Sequence, residues 1–425
     1  MIATSTSGTN RQQEIYTKGF AGSKSLVPID AKRLEETAAA TMSPKARGYI
    51  MGGAGNESTI HSNRSAFEKY KIIPRMLRNV SDRDTSIELF GQKLPAPFLL
   101  SPIGVLEMVH PQADLAVGKA ASELGIPYIF SNQSSKPMEE VAAAMGDSPH
   151  WFQLYWSKSR ELVASFVQRA ERCGCSAIVV TLDTTMLGWR TRDLDMGYLP
   201  FMEGRGIAQY TSDPVFQQLL NEPEATQDKD RKISIPTLSM LSGLITITKN
   251  YPGSGFLSKL ISGRPVKAVK KFVSIYSNPA LTWHDLSFLR QHTKLPILLK
   301  GILHPDDALQ AIDFGMDGII ISNHGGRQVD GSISTLEALP AIAEVVNQKI
   351  PIILDSGVRG GADAFKAIAL GAKAVCIGRP YVYGLTLAGQ PGVREVIRNF
   401  LADFDLTMGL AGCKNVCEIT KESLS

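Results

Sequence analysis

An apolar run in the last third of the chain ends in residues that can carry acid–base and anion-binding chemistry. The run "DGIIIS" continues into "NHGGRQVD", which places His324 three residues before Arg327. A buried strand usually ends in a turn built from Asn, Gly or Asp. An imidazole exchanges a proton near neutral pH, and a guanidinium binds carboxylates and phosphates through paired hydrogen bonds. The pair therefore indicates a site that binds an anion and moves a proton.

Short apolar runs recur along the chain and alternate with helix-like segments. There are eight such runs, "APFLLSPIG", "IPYIFSN", "HWFQLYW", "AIVVTLD", "PILLKG", "DGIIIS", "IPIILDSG" and "AVCIGRP". The segments between them, such as "GADAFKAIALG", have the apolar spacing of a helix and close with glycine. This alternation predicts an α/β fold, a (β/α)8 TIM barrel. A doubly wound open sheet is the alternative, but it would more naturally carry a GxGxxG turn after an early strand, and the sequence has none.

Polar residues follow every apolar run, and a parallel barrel brings the carboxyl ends of its strands to one mouth. A buried cluster of cations at that mouth requires an anion. The glycines and arginines after the seventh and eighth runs predict a phosphate site, and Arg190 with Arg327 predicts a carboxylate site. The residues predicted to converge are Ser101, Pro102, Ile103, Gly104, Ser131, Gln153, Tyr155, Thr181, Asp183, Arg190, Lys300, Ser322, His324, Arg327, Asp355, Ser356, Gly357, Arg359, Gly378 and Arg379.

The chain is predicted to form one large domain with two additions. Residues 1–30 are expected to be a mobile arm, and residues 31–425 the barrel domain, which opens with helix from Ala31 to Asn63. Residues 191–280 follow the fourth run and contain no strand-like run. A loop of this length is either functional or disordered. We expect a lid over the mouth, with a surface insertion as the alternative.

Composition is that of an ordinary soluble enzyme, with 44% hydrophobic and 20% charged residues. A net charge of +4 gives no support to a nucleic-acid partner. The sequence shows no apolar run of membrane-spanning length, and the N-terminus lacks a signal-peptide core. The five cysteines do not form two pairs at zinc spacing. A cytoplasmic protein without a metal site or membrane partner is therefore expected.

Several short motifs together resemble one enzyme family. The blocks "FQLY", "TLDT", "LLKG", "SNHGGRQ", "DSGVRGG" and "IGRP" occur in the order found in the FMN-dependent α-hydroxy acid oxidases and dehydrogenases, which include glycolate oxidase and lactate oxidase. The resemblance covers roughly residues 31–425. Within the family, "EIYTKG", "IPRML", "DRDTSIELFG", "GWRTRDL", "TSDPVFQ" and the long insertion look most like the lactate 2-monooxygenases.

The resemblance implies that FMN is the cofactor and that a lactate-like 2-hydroxy acid is oxidised to a 2-keto acid or, with oxygen, to its decarboxylated acid. A plain oxidase that forms H2O2, or a dehydrogenase with another acceptor, on a bulkier acid is the alternative. A homotetramer or homo-octamer is also implied. A flavin-dependent isopentenyl diphosphate isomerase and a catalytically silent flavin protein are two other classes. The arginine pair and the intact histidine argue against them.

The resemblance also implies roles for individual residues. His324 is the catalytic base, Asp183 orients and stabilises it, and Tyr155 binds the substrate oxygen. The substrate carboxylate is bound by Tyr49, Arg190 and Arg327. Lys300 faces the flavin edge that becomes negative on reduction. The other flavin-binding residues are Pro102, Ile103, Gly104, Ser131, Gln153, Thr181 and Ser322 around the ring and ribityl chain, and Asp355, Ser356, Gly357, Arg359, Gly378 and Arg379 toward the phosphate.

Two positions depart from the glycolate oxidase pattern. Gly104 stands where many of the oxidases have alanine, and the missing methyl is expected to leave space beside the flavin. Gln133 stands where glycolate oxidase has a tryptophan, which suggests space for a bulkier or more polar substrate side chain.

Overall fold

A computed structural model of the chain describes residues 7–222 and 238–425. Eight parallel strands close into a barrel in sequence order. All eight predicted runs contribute one strand each, which confirms the (β/α)8 barrel and rules out the open sheet. The strands, named β1 to β8 here, are Phe98–Leu100, Tyr128–Phe130, His150–Tyr155, Ile178–Thr181, Ile297–Ile302, Gly318–Ile321, Ile352–Leu354 and Ala374–Ile377.

The strands are apolar because both of their faces are covered, by the barrel interior on one side and by helices on the other. All four residues of β6, for example, are buried. Strand register then aligns the polar ends at the mouth. Thr181 at the end of β4 pairs with Tyr155 of β3 on one side and with Lys300 of β5 on the other. Three side chains of the predicted site therefore stand at one level.

Helices surround the barrel and precede it. The N-terminal extension consists of helices Ala31–Thr41, Pro44–Met51 and Ser58–Glu68, which fits the predicted helical stretch with its glycine-rich turn. The outer α-helices are Ala113–Leu124, Met138–Met145, Arg160–Arg172, Leu286–His292, Pro305–Asp313, Thr335–Val346, Gly361–Ala369 and Arg379–Leu410, the last of which leaves helical geometry at Ala388 and Gly389. Short 3-10 helices are Leu106–Met108, Trp283–Asp285, Val416–Glu418 and Lys421–Ser423. None of the described helices is both long and apolar enough to cross a bilayer. The cytoplasmic location and the oligomeric state stay predictions.

The predicted insertion after β4 is helical in the part that the structure describes. Its elements are Thr191–Asp195, the 3-10 helix Pro200–Glu203, Ala208–Thr211, Pro214–Leu219, Leu238–Asn250, Phe256–Ser262 and Arg264–Ile275, and residues 223–237 lie outside the described residues. A buried ion pair fixes its first half to the barrel. Arg169 of an outer helix contacts Asp213 at 3.0 Å and donates to the Gln209 carbonyl at 2.7 Å.

The predicted N-terminal arm contains a helix, Gly8–Phe20, that packs against the last helix. Arg11 is buried and contacts Glu395 at 2.6 Å, and its Nη2 donates to Asn399 at 2.9 Å. The Gly8 amide donates to Asp405 at 2.8 Å. Mobility of the arm stays a prediction. The contacts described here hold residues 8–20 against the last helix.

One element was not predicted, an antiparallel hairpin of Ile87–Leu89 and Gln92–Leu94. Its turn residue Phe90 packs on Trp151, with 5.7 Å between ring centroids, and lies beside Gly318 at the start of β6. Both neighbours belong to the amino ends of strands. The hairpin therefore covers the end of the barrel opposite the site.

Candidate active site

A cavity opens at the carboxyl ends of the strands and encloses about 970 Å³, counted to its open mouth. Residues from the strands, the N-terminal extension and the insertion all face it. The predicted site residues among its lining are Tyr49, Pro102, Ile103, Gly104, Tyr155, Arg190, Lys300, His324, Arg327, Asp355, Ser356, Gly357, Arg359, Gly378 and Arg379.

The turn after β6 aims the imidazole of His324 into this cavity. His324, Gly325 and Gly326 all have left-handed backbone conformations, with φ of 56°, 64° and 77°. A side chain at Gly326 would meet the Ile60 backbone nitrogen at 2.8 Å, so only glycine fits there. Histidine is rarely found in this conformation, and such strain is typical of functional sites.

His324 forms an acid–base pair with Asp183. Its Nδ1 lies 2.8 Å from the Asp183 carboxylate, and its Nε2 lies 3.5 Å from the Tyr155 hydroxyl. Nδ1–H therefore donates to the carboxylate, and Nε2 is left to accept a proton from a ligand. Burial lowers the pKa of His324, so its imidazole is neutral at neutral pH. Burial alone would raise the pKa of Asp183, but His324 and Lys300 outweigh burial and hold that pKa below its ordinary value.

Two arginines also line the cavity. Arg327 donates to the Gly52 carbonyl at 2.6 Å, and its guanidinium lies 5.1 Å from the centre of the Tyr49 ring. Arg190 donates to the Arg327 carbonyl at 3.3 Å and to Gln328 at 3.2 Å. Burial and the nearby Arg190 lower the pKa of Arg327 to about 9. Two cations this close together in a largely buried site are stabilised by an anion, as predicted for a substrate carboxylate.

Lys300 is the centre of a second buried charge cluster. Its ammonium lies 2.9 Å from Ser322 Oγ and 3.2 Å from Asp355. Asp355 also accepts hydrogen bonds from Ser101 and Ser322, both at 2.7 Å. Burial would lower the pKa of Lys300, but Asp355 and Asp183 raise it above its ordinary value. Lys300 is thus a fixed positive charge next to the cavity.

The residues present fit a flavin. Ser131, Gln153, Thr181 and Ser322 are buried at the strand ends but do not line the cavity. Among the described residues, Gln153 Nε2 and Thr181 Oγ1 have no hydrogen-bond partner. Thr181 stands between Tyr155 and Lys300, which both face the cavity. Unpaired buried polar atoms are rare in folded proteins, and a flat ring with polar edges would satisfy them.

The phosphate end of the predicted site is made by β7, β8 and the helix that follows. Gly357, Arg359 and Gly378 line the cavity. The last helix begins at Arg379, which also lines the cavity, so the positive end of the helix lies at this site. The Arg379 side chain is already engaged, because it donates to the carbonyls of Ile50, Gly52 and Gly325 at 2.9–3.0 Å. Its cofactor-binding role stays a prediction, and its contacts tie the N-terminal extension to the barrel.

The expectation of empty space at Gly104 is wrong. A Cβ on Gly104 would lie 2.9 Å from the Gln133 carbonyl oxygen and 3.1 Å from Gln133 Cβ. The adjacent Val105 amide donates to that same carbonyl at 2.9 Å. Glycine at this position therefore permits a close approach between the β1 and β2 loops, and Gln133 occupies the space that a methyl group would need.

Several residues at the site were missed from the sequence. Thr184 Oγ1 lies 3.0 Å from Asp183 and 3.2 Å from His324 Nδ1, and Thr184 is the last residue of the "TLDT" block. Gln328 donates to the carbonyls of Asp183 and Met186 and so holds the two loops together. Other missed residues that line the cavity are Ile50, Leu187, Phe201 and Tyr276. The last three come from the segment between β4 and β5, where no local pattern marks them.

A barrel with a histidine–carboxylate pair, paired arginines and a cradle that fits a flavin defines a flavin-dependent oxidoreductase. Residues 38–425 match the model of the FMN-dependent dehydrogenases. The chain is 44% identical over 389 residues to an L-lactate oxidase of Lysinibacillus sphaericus, which covers 92% of this chain and 90% of that protein. It is 41% identical over 391 residues to an FMN-dependent alpha-hydroxy acid dehydrogenase of Penicillium citrinum, covering 92% and 89%.

A solved structure agrees with these sequence matches. A crystal structure of mandelate oxidase shares 32% identity with the chain at a TM-score of 0.74, and the match covers 94% of this chain and 98% of that one. The chain belongs to the FMN-dependent dehydrogenase family, and its cofactor is FMN. The predicted family is thereby confirmed.

Proposed function

We propose that the protein oxidises a small 2-hydroxy acid to the corresponding 2-keto acid. The observation that carries this proposal is the pairing of His324 with Asp183 at 2.8 Å beside a cavity that two arginines also line. A base and a carboxylate site in one small cavity suit a molecule that carries a hydroxyl next to a carboxylate. The names of the relatives, lactate oxidase and α-hydroxy acid dehydrogenase, support the same substrate class.

The chain's own residues bind, orient and deprotonate the substrate. Arg190 and Arg327 hold the carboxylate, with Tyr49 beside them. Tyr155 donates to the substrate oxygen, and burial raises the pKa of its phenol, so it stays protonated. His324 Nε2 accepts one proton, and Asp183 stabilises the imidazolium that forms. FMN, when bound, would accept the two electrons together with the second proton that the oxidation removes. The flavin ring would be held by Lys300, Ser131, Gln153, Thr181 and Ser322. Its ribityl chain and phosphate would be held by Asp355, Arg359 and the glycines after β7 and β8.

An anaerobic reduction assay tests this function. The purified protein should have the visible absorbance of bound FMN, and L-lactate, glycolate or mandelate should bleach it in the absence of air. Bleaching by at least one 2-hydroxy acid, with the 2-keto acid as product, is the expected result. A flavin that no 2-hydroxy acid reduces would contradict the proposal.

We further propose that, in air, the enzyme releases mainly the decarboxylated acid, as a lactate 2-monooxygenase does. The support is the insertion after β4, because Phe201 and Tyr276 from it line the cavity beside the arginines. A covered cavity releases product slowly. A 2-keto acid held there can react with hydrogen peroxide to give the shorter acid, carbon dioxide and water.

Product analysis in air decides this second proposal. With lactate, acetate and carbon dioxide in equal amounts, and little free peroxide, are expected. One peroxide per pyruvate would make the protein a plain oxidase. Reduction of an artificial acceptor without oxygen consumption would make it a dehydrogenase. In both cases the first proposal would still hold.

A further inference from the structure

The substrate orientation proposed above leaves one part of the cavity for the substrate side chain. The carboxylate faces Arg190 and Arg327, and the hydroxyl faces His324 and Tyr155. The remaining lining is the outer wall, defined here as Gly104, Gln133, Leu187, Phe201 and Tyr276. Phe201 connects its two sides, since its ring lies 6.4 Å from Tyr49 beside the arginines and 6.2 Å from Tyr276.

Gln133 is the exceptional member of the outer wall. Its relative exposure is only 7%, and yet its side-chain amide forms no hydrogen bond with any residue in the described part of the chain. The buried amide of Gln209, in contrast, donates to Ser134 Oγ at 2.7 Å and accepts from the Met138 amide at 3.0 Å. Because Gln133 lines the cavity, its side-chain amide is available to hydrogen-bond a ligand there.

The backbone of Gln133 is held firmly, so its side chain projects from a fixed point. Its amide donates to Ser131 Oγ at 3.1 Å, and its carbonyl accepts from Val105 at 2.9 Å. Gly104 and Gly206 approach so closely that a Cβ on either would lie within 3.0 Å of the Gln133 carbonyl oxygen. A residue with so little freedom is preorganised to bind a ligand group.

We propose that Gln133 selects 2-hydroxy acids whose side chain carries an uncharged hydrogen-bonding group, such as a hydroxyl or a carboxamide. This inference rests on the proposed function. A primary amide offers one acceptor and two donor hydrogens, which matches a group of that kind. The other outer-wall residues contribute a glycine, the apolar side chains Leu187 and Phe201, and the phenol of Tyr276. None of them carries a cation that would offset a second carboxylate.

Matched pairs of substrates test the proposal. Each pair has a polar and an apolar side chain of similar size, glycerate against 2-hydroxybutyrate and 2-hydroxysuccinamate against 2-hydroxy-4-methylpentanoate. Malate adds a charged side chain. Anaerobic flavin reduction by each acid gives kred/Kd for the wild-type holoenzyme and for Gln133→Leu. Gln133→Met is the second variant in case the leucine disturbs folding, and lactate is the internal standard because its methyl group cannot bond the amide.

The wild-type protein should prefer the polar member of at least one pair by about tenfold or more, because a site built to bond a polar group rejects the analogue without it. Gln133→Leu should abolish or reverse that preference and leave FMN binding and lactate reduction nearly unchanged. A wild-type preference for the apolar members, or for malate, would overturn the inference. So would a variant that loses FMN or slows on all substrates equally. If no 2-hydroxy acid reduced the wild-type flavin, the proposed function itself would fail.

Discussion

The floor and the outer wall of the cavity are built in different ways. The floor is the cluster of Lys300, Asp355, Ser322 and Ser101, which are all buried at strand ends and joined by contacts of 2.7–3.2 Å. The outer wall contains an unbonded amide and two residues, Leu187 and Tyr276, that are partly exposed. A satisfied buried network specifies one geometry, whereas a wall of apolar side chains and one free amide can be changed without disturbing the barrel. The difference suggests that the barrel fixes the chemistry and that the later loops select the substrate.

Replacement of His324 by alanine should have the largest effect. It removes the proposed base, while the cofactor cradle lies mostly on other strands. Anaerobic flavin reduction by the best 2-hydroxy acid should slow about 10³–10⁴-fold, and the protein should stay folded and yellow. His61→Ala, at an exposed position, is the matched control and should react like the wild type. Reduction of the His324 variant at a near wild-type rate would remove this residue from the mechanism.

Asp183→Asn tests the carboxylate of the His324–Asp183 pair. The rate of flavin reduction should fall less than in the His324 variant, about 10²-fold. The neutral form of His324 is the active base, so the reduction rate should rise with pH through the pKa of His324 and then stay level. Asp183 raises that pKa against the effect of burial. Its removal should therefore shift the rising limb to lower pH while it lowers the plateau. A limb that stays in place or moves to higher pH would contradict the pairing.

The division between floor and outer wall also separates the site residues that the sequence predicted from those that it did not. Each strand has a continuous apolar run and ends in its own polar residues, so the eight strands and residues such as His324 and Asp183 could be predicted from local patterns. Thr184 was missed although it is the last residue of a recognised block. Phe201 and Tyr276 could not be found, because they reach the cavity only through the packing of the insertion on itself and on the barrel. The need for glycine at position 104 could not be predicted either, because it depends on a contact with Gln133 in a distant loop.

Arg327→Lys should weaken substrate binding more than it slows the chemical step. The change replaces a planar fork with a point charge and also removes the contact with the Gly52 carbonyl. Charged hydrogen bonds of this kind contribute about 1.5–3 kcal/mol, so Kd for the substrate should rise about 10- to 100-fold. The control is Arg160→Lys, because Arg160 is largely exposed and forms an ion pair with Asp285. If the wild type oxidised a neutral 2-hydroxy amide as well as the acid, the carboxylate site would be assigned wrongly.

The smallest effect on activity is expected at the N-terminal helix, which touches neither the floor nor the outer wall. Arg11 is buried against Glu395 and Asn399, and loss of one partner from a buried ion pair leaves the other uncompensated. Arg11→Ala should therefore release helix Gly8–Phe20 and make the first 30 residues far more sensitive to protease. Flavin reduction should stay within about twofold of the wild type, because local opening of a peripheral element leaves the rest of a domain folded. Lys18→Ala removes a largely exposed pair with Glu14 and should change protease sensitivity little. Loss of FMN on the Arg11 substitution would show that the arm supports the cofactor site, and unchanged protease resistance would show that other contacts hold the helix.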